Sequence, residues 1–101
     1  MDTIQEKVLP KLILLDKKEQ HKVLRVTGEA GMGMPDHIST KEAVVIVQEG
    51  EAIFEINNEN YNLKKDDVFI IPAGAKHKLT ILSSFKAVVI MDIESQIEFI
   101  N

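Results

Sequence analysis

Few side chains in this sequence could carry out chemistry. There is no cysteine, and the histidines are His21, His37 and His77. Without a thiol there is no thiolate nucleophile, no disulfide framework and no zinc ribbon, so any metal would need imidazole, carboxylate or water. His21 sits in the polar stretch Lys17-Lys18-Glu19-Gln20-His21-Lys22 and reads as a solvated turn residue. His77 differs, because it alternates with Leu79 and Ile81 while Lys78 and Thr80 occupy the opposite parity. On a strand that parity puts His77 on the apolar face. An imidazole there requires a partner, which is a metal, a ligand, water or another side chain; a hydrogen-bonded core histidine gives the same pattern.

His37 shares a face with Ser39 if its segment is extended, while Val45 and Val47 define a second interior stretch and Phe54 adds an aromatic wall. A closed sheet would gather His37, Ser39, Val45, Val47, Phe54 and His77 around a small ligand. The turn Ile71-Pro72-Ala73-Gly74-Ala75-Lys76 would aim His77, since proline fixes one backbone angle and glycine permits a positive one. Two histidines from distant segments also supply two ligands of a 2-His-1-carboxylate metal site. Glu42 is the nearest third ligand, but beside Ala43 on a regular strand it points away from the face Ala43 occupies unless a bulge turns it. Nucleophilic hydrolase chemistry has no support, because there is neither a Gly-x-Ser-x-Gly elbow nor a His-Glu-x-x-His helix nor a phosphate-cradling loop.

The elements that would position these residues are short apolar runs rich in Val, Ile and Phe: Leu12 to Leu15, Val23 to Val26, Ala43 to Val47, Ala52 to Ile56, Val68 to Ile71, Leu79 to Leu82, Ala87 to Met91 and Ile97 to Ile100. None repeats at helical spacing, so the chain reads as all-β. Gln48-Glu49-Gly50-Glu51 and Asn57-Asn58-Glu59-Asn60 mark hairpins, and Lys64-Lys65-Asp66-Asp67 a solvated turn. Gly28 to Pro35 reads as a flexible loop near the pocket mouth, with Met32 and Met34 packing there, and Thr3 to Leu9 as a short helix ended by Pro10. At 101 residues one domain, 1–101, is expected. A net charge of -4 without a basic stripe argues against a nucleic-acid partner. The N-terminus lacks a signal-peptide apolar region, and no apolar run approaches the ~20 residues that span a bilayer, so a cytoplasmic location without membrane association is expected.

Residues 28–82 resemble the paired motifs of the cupin family. Gly31, His37 and Gly50 fall at the spacings of the first motif, and Pro72, Gly74 and His77, preceded by Leu63 and Asp67, at those of the second. The chain departs from the family where Ser39 stands at the second histidine position, Ala43 at the glutamate position with Glu42 one place early, and Asp66 at the opening glycine of the second motif. The resemblance implies a jelly-roll β-barrel, often a homodimer among small cupins. It also implies that His37 and His77 are what remains of a ligand set for a divalent transition metal. Three functions follow in order: a barrel binding a small molecule around a weakened or absent metal site; a metal-dependent enzyme of dioxygenase or isomerase type using His37, His77, Glu42 and water; and a non-catalytic interaction protein dimerising through strands around Leu12 to Leu15.

Overall fold

The computed structural model describes residues 9–100, which form ten strands in two five-stranded antiparallel sheets. The first sheet is ordered β1 (Lys11–Lys17), β2 (His21–Gly28), β9 (Phe85–Asp92), β4 (Ala43–Glu49) and β7 (Val68–Ile71). The second is ordered β10 (Ile97–Phe99), β3 (Gly33–Ser39), β8 (His77–Ile81), β5 (Glu51–Ile56) and β6 (Glu59–Lys64). No described residue is helical, and the expected helix over Thr3 to Leu9 lies outside the described residues except for Leu9.

Alternation accounts for the layering. In β4, Ala43, Val45 and Val47 are buried while Val44 and Ile46 face outward; in β5, Ala52, Phe54 and Ile56 turn inward. These side chains meet Leu79, Ile81, Phe85, Ala87 and Met91 from the other strands, forming one core between the sheets. Each buried valine or isoleucine contributes about 1.5–3 kcal/mol relative to leaving it exposed.

Two strands escape the apolar-run reading. The loop expected over Gly28 to Pro35 is shorter, because β3 already begins at Gly33, and Met34 is buried on that strand rather than packed in a loop. β6 carries only Leu63 as a buried residue; its polar sequence follows from its place at the edge of the sheet. The turn before it is confined to Asn57 and Asn58, whose φ values of 51° and 70° match a two-residue hairpin turn in which both central residues are left-handed. His21 is exposed, as expected, although it opens β2 rather than sitting in the turn. In the turn at Lys65 and Asp66, the Asp67 carboxylate accepts the Lys64 amide at 2.7 Å, and Asp66 adopts φ 76°.

Gly50 joins β4 to β5 at φ 80°, where a side chain would overlap the Ser84 carbonyl oxygen. Gly74 has a similar φ of 73°, but an added Cβ meets nothing. Gly74→Ala therefore carries only the left-handed strain of about 1 kcal/mol, a loss of roughly 5 °C in Tm. Gly50→Ala adds a backbone clash and should lose at least about twice as much. Thermal unfolding of the pair checks this: equal losses would show that the Ser84 contact imposes nothing.

Candidate functional site

The central feature of the site is a register. β3 and β8 pair so that His37 stands directly opposite His77, and the rings meet edge to face with centroids 4.1 Å apart. A register shift between Met34 and His37 makes this arrangement possible. Met34 and His37 are three residues apart, so a regular strand would send them to opposite faces; with the irregularity at Pro35 and Asp36 both are buried.

Each ring is held the same way. His37 Nδ1 lies 2.7 Å from the Pro35 carbonyl oxygen and His77 Nδ1 3.0 Å from that of Ala75, in both cases the residue two places earlier. A carbonyl only accepts, so each Nδ1 carries the proton and each Nε2 keeps a free lone pair in the neutral ring. The turn that delivers His77 is itself tied to β3, because the Gly74 amide donates to the Ser39 carbonyl at 2.8 Å. Phe99 tilts over His37 at 5.4 Å between centroids, and Phe54 lies 6.4 Å from the His77 ring, nearly parallel to it.

Both imidazoles are held neutral. Burial pushes the His37 pKa below 6.5, opposed by the bond to Pro35 and by the Asp36 carboxylate. Burial likewise lowers His77, against the bond to Ala75; the neighbouring His37 lowers it further, and Asp36 opposes. Asp36 does not enter the pair, since its carboxylate lies 4.0 Å from the Lys76 ammonium with both side chains substantially exposed.

The rings open onto a cavity of about 50 Å³, measured as the space in which a water centre can sit. One water needs about 10–15 Å³ on that measure, so there is room for a small molecule or a few waters. Its polar lining comes from His37, Ser39 and His77, and the rest is apolar, including Val45, Phe54, Met34, Leu79 and Met91. Of the six residues expected around a ligand, the structure brings His37, Ser39, Val45, Phe54 and His77 to this wall. Val47 is buried in the core but is not part of the wall. Met34 was missed as a lining residue, because Gly33 and Pro35 on either side of it disguise a strand as a loop. Met91 was legible as the inward end of the Ala87 to Met91 run.

Glu42 does not join the histidines. It is exposed on the outside of the barrel, in a surface hollow it shares with His21, Lys41 and Asp92. β4 begins at Ala43, which turns inward, and Glu42 just before it is exposed. Among the described residues no group of three His, Cys, Asp or Glu side chains is placed to hold a metal ion. A divalent ion would find two neutral imidazoles, the Ser39 alcohol and the Ala43 methyl group, with no carboxylate to balance its charge in an apolar cavity. The donor set does not fit the metal centre that the motif spacing suggested.

Comparison with known proteins places this geometry in a family. The profile of the cupin domain matches residues 13–94. A search of curated protein sequences finds no match. The fold is similar to that of a cupin superfamily protein from Desulfitobacterium hafniense, with a TM-score of 0.77 and 17% identity over 88% of this chain and 82% of that one. It is also similar to a salicylate 1,2-dioxygenase from Pseudaminobacter salicylatoxidans, with a TM-score of 0.80 and 17% identity over 94% of this chain and 33% of that one. A DMSP lyase from Ruegeria pomeroyi gives a TM-score of 0.80 and 20% identity over 98% of this chain and 59% of its own. At these identities the likeness concerns the fold. The family match spans most of the chain and both motif regions, and on that ground the chain belongs to the cupin family.

Proposed function

We propose that this cupin binds a small, mainly apolar molecule that donates hydrogen bonds to Nε2 of His37 and His77. The carrying observation is the paired lock on the two Nδ1 atoms, which leaves two acceptor nitrogens on one apolar cavity with no third His, Cys, Asp or Glu ligand for a metal among the described residues. An apolar cavity supplies affinity through burial, and a few placed polar groups supply orientation. Ser39 adds a hydroxyl that donates or accepts, suiting a phenol, an enol or a small amide better than a carboxylate. An anion would bring an uncompensated charge beside two neutral rings. The dioxygenase and lyase neighbours, named for the small molecules salicylate and DMSP, support the reading that barrels of this shape serve small molecules.

Phenol and benzene make a matched pair of probes, equal in shape and different by one donor. Phenol should bind more tightly than benzene, and His37→Phe or His77→Phe should weaken phenol about 10-fold, the worth of one hydrogen bond of about 1.4 kcal/mol, without weakening benzene. NMR titration reads both affinities; loss of both probes together would reduce the histidines to cavity shape. Protein incubated with Fe²⁺ or Zn²⁺ and desalted should retain well under one equivalent by elemental analysis. A stoichiometric ion lost in His77→Ala would instead favour the metalloenzyme reading.

The neutral rings also set a pH dependence. Above pH 6.5 both histidines are neutral folded and unfolded, so nothing is lost. Below it the unfolded chain protonates first, and stability falls as pH drops through the lowered folded-state values. Urea midpoints should therefore be flat from about pH 7 to 8 and decline toward pH 5. The His37→Phe/His77→Phe variant should show a shallower decline over the same range. Asp16 and Asp92, whose carboxyls are held below 3.8 by hydrogen bonds from Lys18 and from the Glu94 amide, act only at lower pH. An equally steep decline in the variant would locate the effect elsewhere.

A further inference from the structure

The cavity beside the histidine pair is not closed all round. Of the residues that line it, only Leu12, Leu24, Val89 and Ile97 escape full burial, and they lie on β1, β2, β9 and β10. β1 and β10 are edge strands of their sheets, so the cavity opens through the seam between the two sheets on that side. Register carries both walls outward from there. Leu14 pairs with Leu24, which pairs with Val89, and Phe99 pairs with His37 as Ile97 does with Ser39. These side chains belong to the inner faces, yet Leu12, Leu14 and Phe99 are 43%, 51% and 50% exposed. Lys22 marks one end of the apolar stretch, its ammonium donating to the Ser95 carbonyl at 2.9 Å. The opposite side is shut: Phe54 stops the cavity, backed by Phe69 at 6.2 Å and then Tyr61 at a further 5.1 Å between ring centroids.

We propose that the ligand is a neutral amphiphile, whose compact hydrogen-bond-donating head sits on His37 and His77 and whose unbranched apolar tail leaves the barrel between β1 and β10, over Leu12, Leu14, Ile97 and Phe99. This assignment rests on the donor-binding role given to the two histidines above. Continuity identifies the occupant of the seam. Leu12, Leu24 and Ile97 line the cavity and its mouth at once, so no boundary divides the surface that takes the head from the surface that takes the tail. His37 stands one strand in from β10 and His77 two, about 5 and 10 Å from the edge at the usual strand spacing. A head bonded there leaves any longer part of the molecule only the mouth as its way out.

Size and charge select the class. A compact guest would fill the space of about 50 Å³ and leave the leucines and Phe99 of the seam in water, whereas a tail covers them and gains by their burial. No ionisable side chain other than the two imidazoles lines the cavity, so nothing there matches a charged chain. The run Leu12 to Leu15 splits by parity on this reading: Leu12 and Leu14 serve the seam, and Ile13 stands on the outer face.

A series of 4-alkylphenols, titrated by NMR against the full chain, tests the tail. From phenol through 4-ethylphenol and 4-butylphenol to 4-hexylphenol, affinity should rise about threefold per methylene until the chain passes the rim. Leu14→Ser and Phe99→Ser, at exposed positions on facing walls, should each cut the gain of 4-hexylphenol over phenol about fivefold. Ile13→Ser, the outward neighbour of Leu14, should leave that gain unchanged. Affinity that does not rise with chain length overturns the proposal, whether residues 1–8 or a second copy then fills the seam. A gain that survives both the Leu14 and the Phe99 variant overturns it as well, since the tail then leaves elsewhere. Butylbenzene separates the tail from the head: if it bound as tightly as 4-butylphenol, the donor role of the histidines would fall and the head assignment with it, while a chain-length gain lost in the two variants would still place the tail in the seam.

Discussion

The pairing of β3 with β8 in the register that sets His37 against His77 is the constraint on which the site depends. A slip of one residue would turn one of the two strands over, so that either Ile38 would replace His37 on the wall or the Lys78 ammonium would be buried in place of His77. The register is held by more than ladder hydrogen bonds. The inward alternation of His77, Leu79 and Ile81 fixes β8, the amide of Gly74 grips Ser39, and each ring is tied to the carbonyl two residues before it. A ring bonded to its own backbone moves only if the strand moves, so the acceptor geometry is as rigid as the sheet.

Neutrality is the second half of that constraint. Two imidazoles with centroids 4.1 Å apart cannot both be charged inside an apolar wall, and burial outweighs the nearby Asp36 in setting their state. The cupin motif normally surrounds a cation with several ligands including a carboxylate, and here Ser39 and Ala43 stand where two of those ligands would be. These replacements act together. Losing the carboxylate alone would leave a charge-poor metal site, whereas losing a histidine as well leaves a cavity in which a neutral guest is solvated better than an ion.

Much of the fold was legible because burial writes period-two patterns into β4, β5, β8 and β9. What escaped did so for physical reasons. β6 is an edge strand with one buried residue, so Glu59 to Lys64 carries no apolar run, and β3 is punctuated by Gly33 and Pro35, which mark turns in most contexts. The irregularity at Pro35 and Asp36 also breaks parity, so alternation alone could not place Met34 and His37 on one wall. Asp66 shows the converse: it stands at a glycine position of the motif and still takes the positive φ of 76° that glycine would adopt easily. The backbone course outlasted the residue that suits it best. Val47 was assigned to the pocket by parity, but parity identifies a face and not a depth along it.

The same alternation that builds the interior determines the exterior. Because β4 and β9 lie in the middle of their sheet, their outward residues Val44, Ile46, Val88 and Ile90 sit at the centre of its outer face, and these are apolar like the inward residues that alternate with them. A strand exposed on one side would carry Thr, Lys or Glu there, as β5 and β8 do with Glu55 and Lys78. A continuous apolar run in an antiparallel strand therefore gives its sheet two apolar faces, one packed within the barrel and the other on its outside. The run Ala43 to Val47, read first only as evidence for a strand, carried that second face in its even-numbered members.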